Sequence, residues 1–208
     1  MSKSYLTVKG SSENTTEIKR SKFIATLAHV DNAEEAERFV RSVRKKYSDA
    51  THNCYAYVAD EKGLSVRFSD DGEPSGTAGQ PMLEVLKKRG LYKTAVVVTR
   101  YFGGIKLGAS GLVGAYADSV AQALDAACIA EMRECVLFRF RCGYSEYACL
   151  EQGLLRTGAV KERTEYGDEV EAQFYAERDA AAAAVEFVSA ATNGKVSAQI
   201  TGEAFRSV

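Results

Sequence analysis

No apolar stretch in this sequence approaches the roughly 20 residues that a membrane-spanning helix needs; runs such as Ala95–Val98 end after a few residues. The opening residues Met1-Ser2-Lys3-Ser4-Tyr5 carry no apolar segment of the kind that directs secretion. A cytoplasmic protein with no membrane partner is therefore expected. There is no Cys-x-x-Cys pair and there are only two histidines, so a structural zinc is not expected. Five cysteines, an odd number without clustered spacing, do not make a secreted disulfide framework. Cys128, Cys135, Cys142 and Cys149 fall seven apart, but they cross a helix end, a strand and another helix start, where a period of seven has no common geometry. They read as small apolar residues. Net charge is also nearly absent, at −1, which argues against a protein coated for nucleic acid along its whole length.

What is present is an ordinary globular balance, 46% hydrophobic and 26% charged, which excludes disorder as the main state. A length of 208 residues allows two small domains, each with its own core. The charge is uneven: residues 1–130 hold 18 lysines and arginines against 15 carboxylates, a net +3, and residues 131–208 hold 9 against 13, a net −4. An anionic partner is expected to prefer the first part.

Periodicity supplies the elements. Strands are expected around Tyr5–Gly10 and Lys22–Val30, then a helix capped by Asp31 or Asn32 with Ala36, Phe39, Val40, Val43 and Tyr47 at helical spacing. His52–Val58 and Leu64–Phe68 read as a hairpin, Met82–Arg89 as a helix with Pro81 in its first turn, and Thr94–Tyr101 as a strand buried on both faces. A helix follows from about Gly108 to Ala127. From Glu131 the order is strand, helix, strand, strand, helix, strand. In it Val136, Phe138 and Phe140 alternate with Arg139 and Arg141, and a hairpin turns at Gly167-Asp168. That order is the β-α-β-β-α-β of a ferredoxin-like sandwich. The fold class is α+β, with domains at 1–130 and 131–208.

Two glycine-rich loops of the first domain form the candidate functional surface. In Gly103–Gly111 a strand runs through a tight turn into a helix N-terminus, whose unpaired N–H groups favour an anion. Arg100 and Lys106 add cations beside Gly103, Gly104, Gly108 and Ser110, and both are expected to be removable without loss of the fold. The loop is neither a Walker A loop nor a Rossmann fingerprint. Gly108, Gly111 and Gly114, three apart, equally well let the helix lie close to the sheet. The second loop carries Asp70, Asp71, Glu73, Ser75 and Thr77. Its carboxylates can hold a hard cation such as Mg²⁺, or Asp71-Gly72 simply makes a hairpin-type turn and the carboxylates are solvated. His52 and Cys54 share one face of a strand, with no acid partner identifiable. The basic run Arg41–Lys46 lies on a helix's outer side, where it can touch phosphates or simply be solvated.

The stretches Glu17–Ile24, His52–Tyr57, Asp70–Gly79 and Arg100–Gly108 together resemble the YigZ/IMPACT family. The resemblance implies a first domain like the second domain of small-subunit ribosomal protein five and a ferredoxin-like second domain. Together these are similar to the last two domains of elongation factor G. It further implies a translation-linked, non-enzymatic role, with RNA, the ribosome or a translation factor bound through the first domain. It brings no catalytic residue, no metal and no cofactor. The alternative is an enzyme acting on a phosphorylated small molecule or nucleotide with Mg²⁺, because the first domain's fold also occurs in small-molecule kinases.

Overall fold

The computed structural model describes residues 4–207. They form a mixed α/β protein with five helices and two antiparallel sheets, divided into one compact unit over Tyr5–Glu131 and another from Met132 onward.

In the first unit the sheet order is β2(Ser11–Ile18), β3(Ser21–His29), β6(Thr94–Tyr101), β4(His52–Val58), β5(Val66–Ser69), antiparallel at each of these pairings. A short β1(Ser4–Val8) precedes it, with Leu6 bridging to Leu91. The central strand β6 is buried on both faces, as its valine run predicts. Val96 and Val98 pack with α2(Gly79–Lys88) and α3(Ala109–Ala126), while Val97 packs with Val40 and Val43 of α1(Ala33–Lys46). Asn32 is the cap of α1: its side chain accepts from the Glu35 N–H at 3.0 Å.

Strand β2 escaped the sequence reading. Its residues, Ser-Ser-Glu-Asn-Thr-Thr-Glu-Ile, alternate between exposed and half-buried and carry almost no apolar signal; full pairing with β3 makes it a strand. It joins β3 through Lys19 and Arg20, both at positive φ (46° and 64°), a two-residue turn matched to the twist of the hairpin. Helix α2 begins at Gly79, three residues earlier than expected.

The second unit runs β7(Ile129–Cys142), α4(Tyr144–Arg156), β8(Val160–Tyr166), β9(Val170–Glu177), α5(Arg178–Ala191), β10(Gln199–Ser207). Its strands lie in the order β10, β7, β9, β8, each neighbouring pair antiparallel. Phe138, Phe140 and Phe174 stack in its core with Leu150, Leu154 and Val188. The cysteines divide: Cys54, Cys135 and Cys142 are buried, but Cys128 and Cys149 are exposed, contrary to the uniform apolar reading. Cys128 lies on the turn between α3 and β7, and Cys149 on the outward side of α4.

Candidate functional site

Strand alternation brings the site together. Val96, Val98 and Arg100 share the α2/α3 face of β6, and His52 and Cys54 share the same face of β4. His52 is the register partner of Arg100. The loop leaving the neighbouring strand β5 then crosses over this end of the sheet.

That loop is held by its own carboxylates. Asp70, Asp71, Gly72 and Glu73 form a tight turn closed by Glu73 N–H donating to the Asp70 carbonyl at 2.9 Å, with φ of 45° at Asp71 and 87° at Gly72. The Asp70 carboxylate accepts from the backbone N–H groups of Gly76, Ala78 and Gly79 at 2.8–3.0 Å and so caps the start of α2. Asp71 accepts from Asn53 N–H and from Arg44. Glu73, only 8% exposed, accepts from Arg100 at 2.6 Å and from the Tyr116 hydroxyl of α3 at 2.8 Å. The expectation of solvated carboxylates is therefore corrected: each has internal donors, because the loop folds back over β4, β6 and α3. Ser75 is exposed, and Thr77 is buried with its hydroxyl donating to the Pro74 carbonyl.

Burial works against ionisation of Asp70, but the three N–H donors outweigh it and hold its carboxyl below the ordinary 3.8. The stabilisation it brings is fully present above that ordinary value and is lost as pH falls through the lower folded value. Asp70→Asn keeps an oxygen but loses the charge. Urea denaturation should show about 2 kcal/mol less stability at neutral pH, together with a flatter decline between pH 5 and pH 3 than the parent shows. An unchanged acid limb would remove Asp70 from this role.

Arg100 is also corrected. It is 5% exposed and bound to Glu73, not a free cation beside the turn, so its removal unpairs a buried carboxylate and is expected to cost stability. Its guanidinium stands between the rings of Phe23 and Phe102, 5.5 and 5.6 Å from their centroids. Its Nε has no acceptor among the described residues. His52 gains the acid partner that sequence spacing could not identify: Nε2 lies 3.9 Å from Glu73 Oε2. Its Nδ1 is 2.8 Å from the Asp71 carbonyl, which can only accept, so Nδ1 carries a proton. Cys54 Sγ lies 2.9 Å from the Asp70 carbonyl and 3.3 Å from the Tyr116 hydroxyl. Burial above all, reinforced by the nearby carboxylates, pushes this thiol up to about 12, so it is no nucleophile at neutral pH. Burial likewise drives the Tyr116 phenol far above its ordinary range, so that it stays a donor to Glu73.

The Gly103–Gly111 loop closes the other side. Gly103 N–H donates to Ser21 Oγ, and the Gly103 backbone passes against the Arg20 carbonyl, leaving no room for a side chain. Gly104 and Gly108 are at positive φ. Helix α3 starts with no side-chain cap and no acidic residue in its first turn. Lys106 is exposed and no carboxylate pairs with it among the described residues. Ser110 is exposed on the first turn of α3. Between the two loops lies a pocket of about 330 Å³, lined by His52, Glu73, Arg100, Phe102, Lys106 and Ala109 among others. A larger cavity of about 520 Å³ lies in the second unit, where Arg139 and Arg141 both pair with Glu171. The basic run on α1 is largely matched internally, with Arg41 paired to Glu37, Arg44 to Asp71 and Lys46 to Glu13. No group of three or more potential metal-binding side chains occurs among the described residues.

Both loops fall within one segment matched by a single family model. The family model for the Impact N-terminal domain matches residues 19–124, and that for a domain of unknown function, DUF1949, matches residues 140–195. The chain is 42% identical over 192 residues to the IMPACT family member YvyE of Bacillus subtilis, covering 92% of this chain and 88% of that protein. It is 44% identical over 137 residues to the IMPACT family member YigZ of Escherichia coli, covering 65% and 67%. A protein IMPACT homolog of Dictyostelium discoideum is 42% identical over 94 residues, covering 43% of this chain and 27% of the other. A crystal structure titled as that of a hypothetical protein matches with a TM-score of 0.63 at 34% identity, over 94% of this chain and 96% of that one.

Proposed function

Starting from the fact that this chain belongs to the IMPACT family, we propose that it is a translation-linked binding protein, not an enzyme, whose first unit contacts RNA at the mouth of the two-loop pocket. The observation that carries this reading is the local charge balance. Arg100 and Glu73 cancel, so the unpaired charge is Lys106 beside the uncapped N-terminus of α3, an arrangement that attracts a phosphate. The fold that the family resemblance implies, similar to the last two domains of elongation factor G, is a further reason to expect a ribosomal or structured RNA as the partner. The magnesium-dependent reading is weakened because Asp70, Asp71 and Glu73 already serve internal donors. No helix among the described residues is long and apolar enough to cross a membrane.

Fluorescence anisotropy with structured RNA and with ribosomes, repeated over a range of salt, tests this. Binding should weaken steeply as salt rises, and Lys106→Ala should reduce the slope of log K against log salt by about 1 while leaving thermal stability unchanged. Absence of salt-sensitive binding at low ionic strength would refute the reading.

A further inference from the structure

Deepening that RNA-binding reading and resting on it, we infer that the two-loop pocket holds one nucleotide unit, with the base beside Phe102 and the phosphate between Lys106 and the N-terminus of α3. The unit is either a free nucleoside monophosphate or one nucleotide splayed out of a single strand. Phe102 is 46% exposed, lies on the pocket wall, and has the Arg100 guanidinium 5.6 Å from its ring centroid. Such exposure of a large aromatic at a cavity rim fits stacking on a planar partner. Pro74, Leu107 and Leu112 make the rest of the lining largely apolar. A simple inorganic anion has no use for that surface; an aromatic body attached to an anion does. The polar groups are few and placed for an edge: the Thr51 hydroxyl, which accepts from Phe102 N–H, retains its own proton to donate, and the His52 ring lines the same wall. The Arg100 Nε, buried in the same wall, is a donor without an acceptor among the described residues, although the Arg100 charge itself is matched by Glu73. The volume of about 330 Å³ lies at the small end of ligand pockets, in keeping with a single nucleotide unit.

Isothermal titration of the full chain with AMP, CMP, GMP and UMP, with adenosine and inorganic phosphate as partial ligands, and with a single-stranded octanucleotide RNA tests the inference. At least one nucleoside monophosphate should bind tenfold or more tightly than either partial ligand. Phe102→Ala and Lys106→Ala should each weaken it about tenfold, and Lys106→Ala should do so without shifting the melting temperature, since its side chain is exposed. Competition between the monophosphate and the RNA would identify the unit as part of a strand. Binding of the monophosphate without competition would identify a free nucleotide, keeping the inference while removing support from the RNA reading. If no monophosphate binds, or inorganic phosphate binds equally well and Phe102→Ala changes nothing, the inference is overturned. RNA affinity of the unaltered protein would then still decide the broader function on its own.

Discussion

Glu73→Ala should lower the unfolding free energy by about 3–5 kcal/mol, measured by urea denaturation at neutral pH. The side chains of Glu73 and Arg100 are 4% and 6% exposed, so the Arg100 charge left behind cannot turn to water. The Tyr116 hydroxyl, kept protonated by its surroundings, loses its acceptor at the same time. The cost comes mainly from the orphaned charge and not from the ion pair's net worth, because the two charges removed together leave no uncompensated charge, only the Tyr116 hydroxyl without its acceptor. The cycle Glu73→Ala, Arg100→Ala and the double variant makes that distinction. The double variant should be clearly less destabilised than the sum of the singles, with a coupling of about 2 kcal/mol. Additive losses, or a Glu73→Ala cost below about 1 kcal/mol, would mean that water reaches the pair and screens it.

Gly103→Ala is expected to cost about 3 kcal/mol, the range of core overpacking, and to do so for want of space, not for want of a glycine conformation. A Cβ on Gly103 would lie 1.9 Å from the Arg20 carbonyl oxygen and 2.1 Å from its carbon. Both are backbone atoms, so no rotamer change relieves the clash; the loop and the β2–β3 turn must move apart, loosening the Gly103 N–H bond to Ser21. Gly104→Ala is the matched control. It has φ of 85° and open space around its Cβ position, so it should cost only about 1 kcal/mol, the price of a left-handed alanine. Equal losses at the two positions would refute the close-approach account.

Much of this fold is legible along the chain, since alternation and helical spacing are local properties. The valines of β6 and the strand in which Phe138 and Phe140 alternate with Arg139 and Arg141 lie as their patterns predict. Strand β2 is illegible because its pairing with β3, not its polar side chains, makes it a strand. The site was half legible. Alternation puts His52 and Arg100 toward one face, and the chain resemblance marks both loops. Which carboxylate meets Arg100 depends on how a loop 27 residues away folds back, and no periodic signal encodes that. Arg100 therefore read as a surface cation, and Glu73 as a solvated acid, although each is the other's partner.

The Asp70 loop has a kinetic consequence. Glycines at 72, 76 and 79 suggest a floppy strap, yet Asp70 ties three of its N–H groups and Glu73 anchors it to β6 and α3. One wall of the pocket is thus already in place before any visitor arrives. For the nucleotide proposed above, capture is then expected at a rate governed by diffusion and by the long-range pull of Lys106, with no waiting time for this loop to order. Differences among the four monophosphates are then expected in how long each stays.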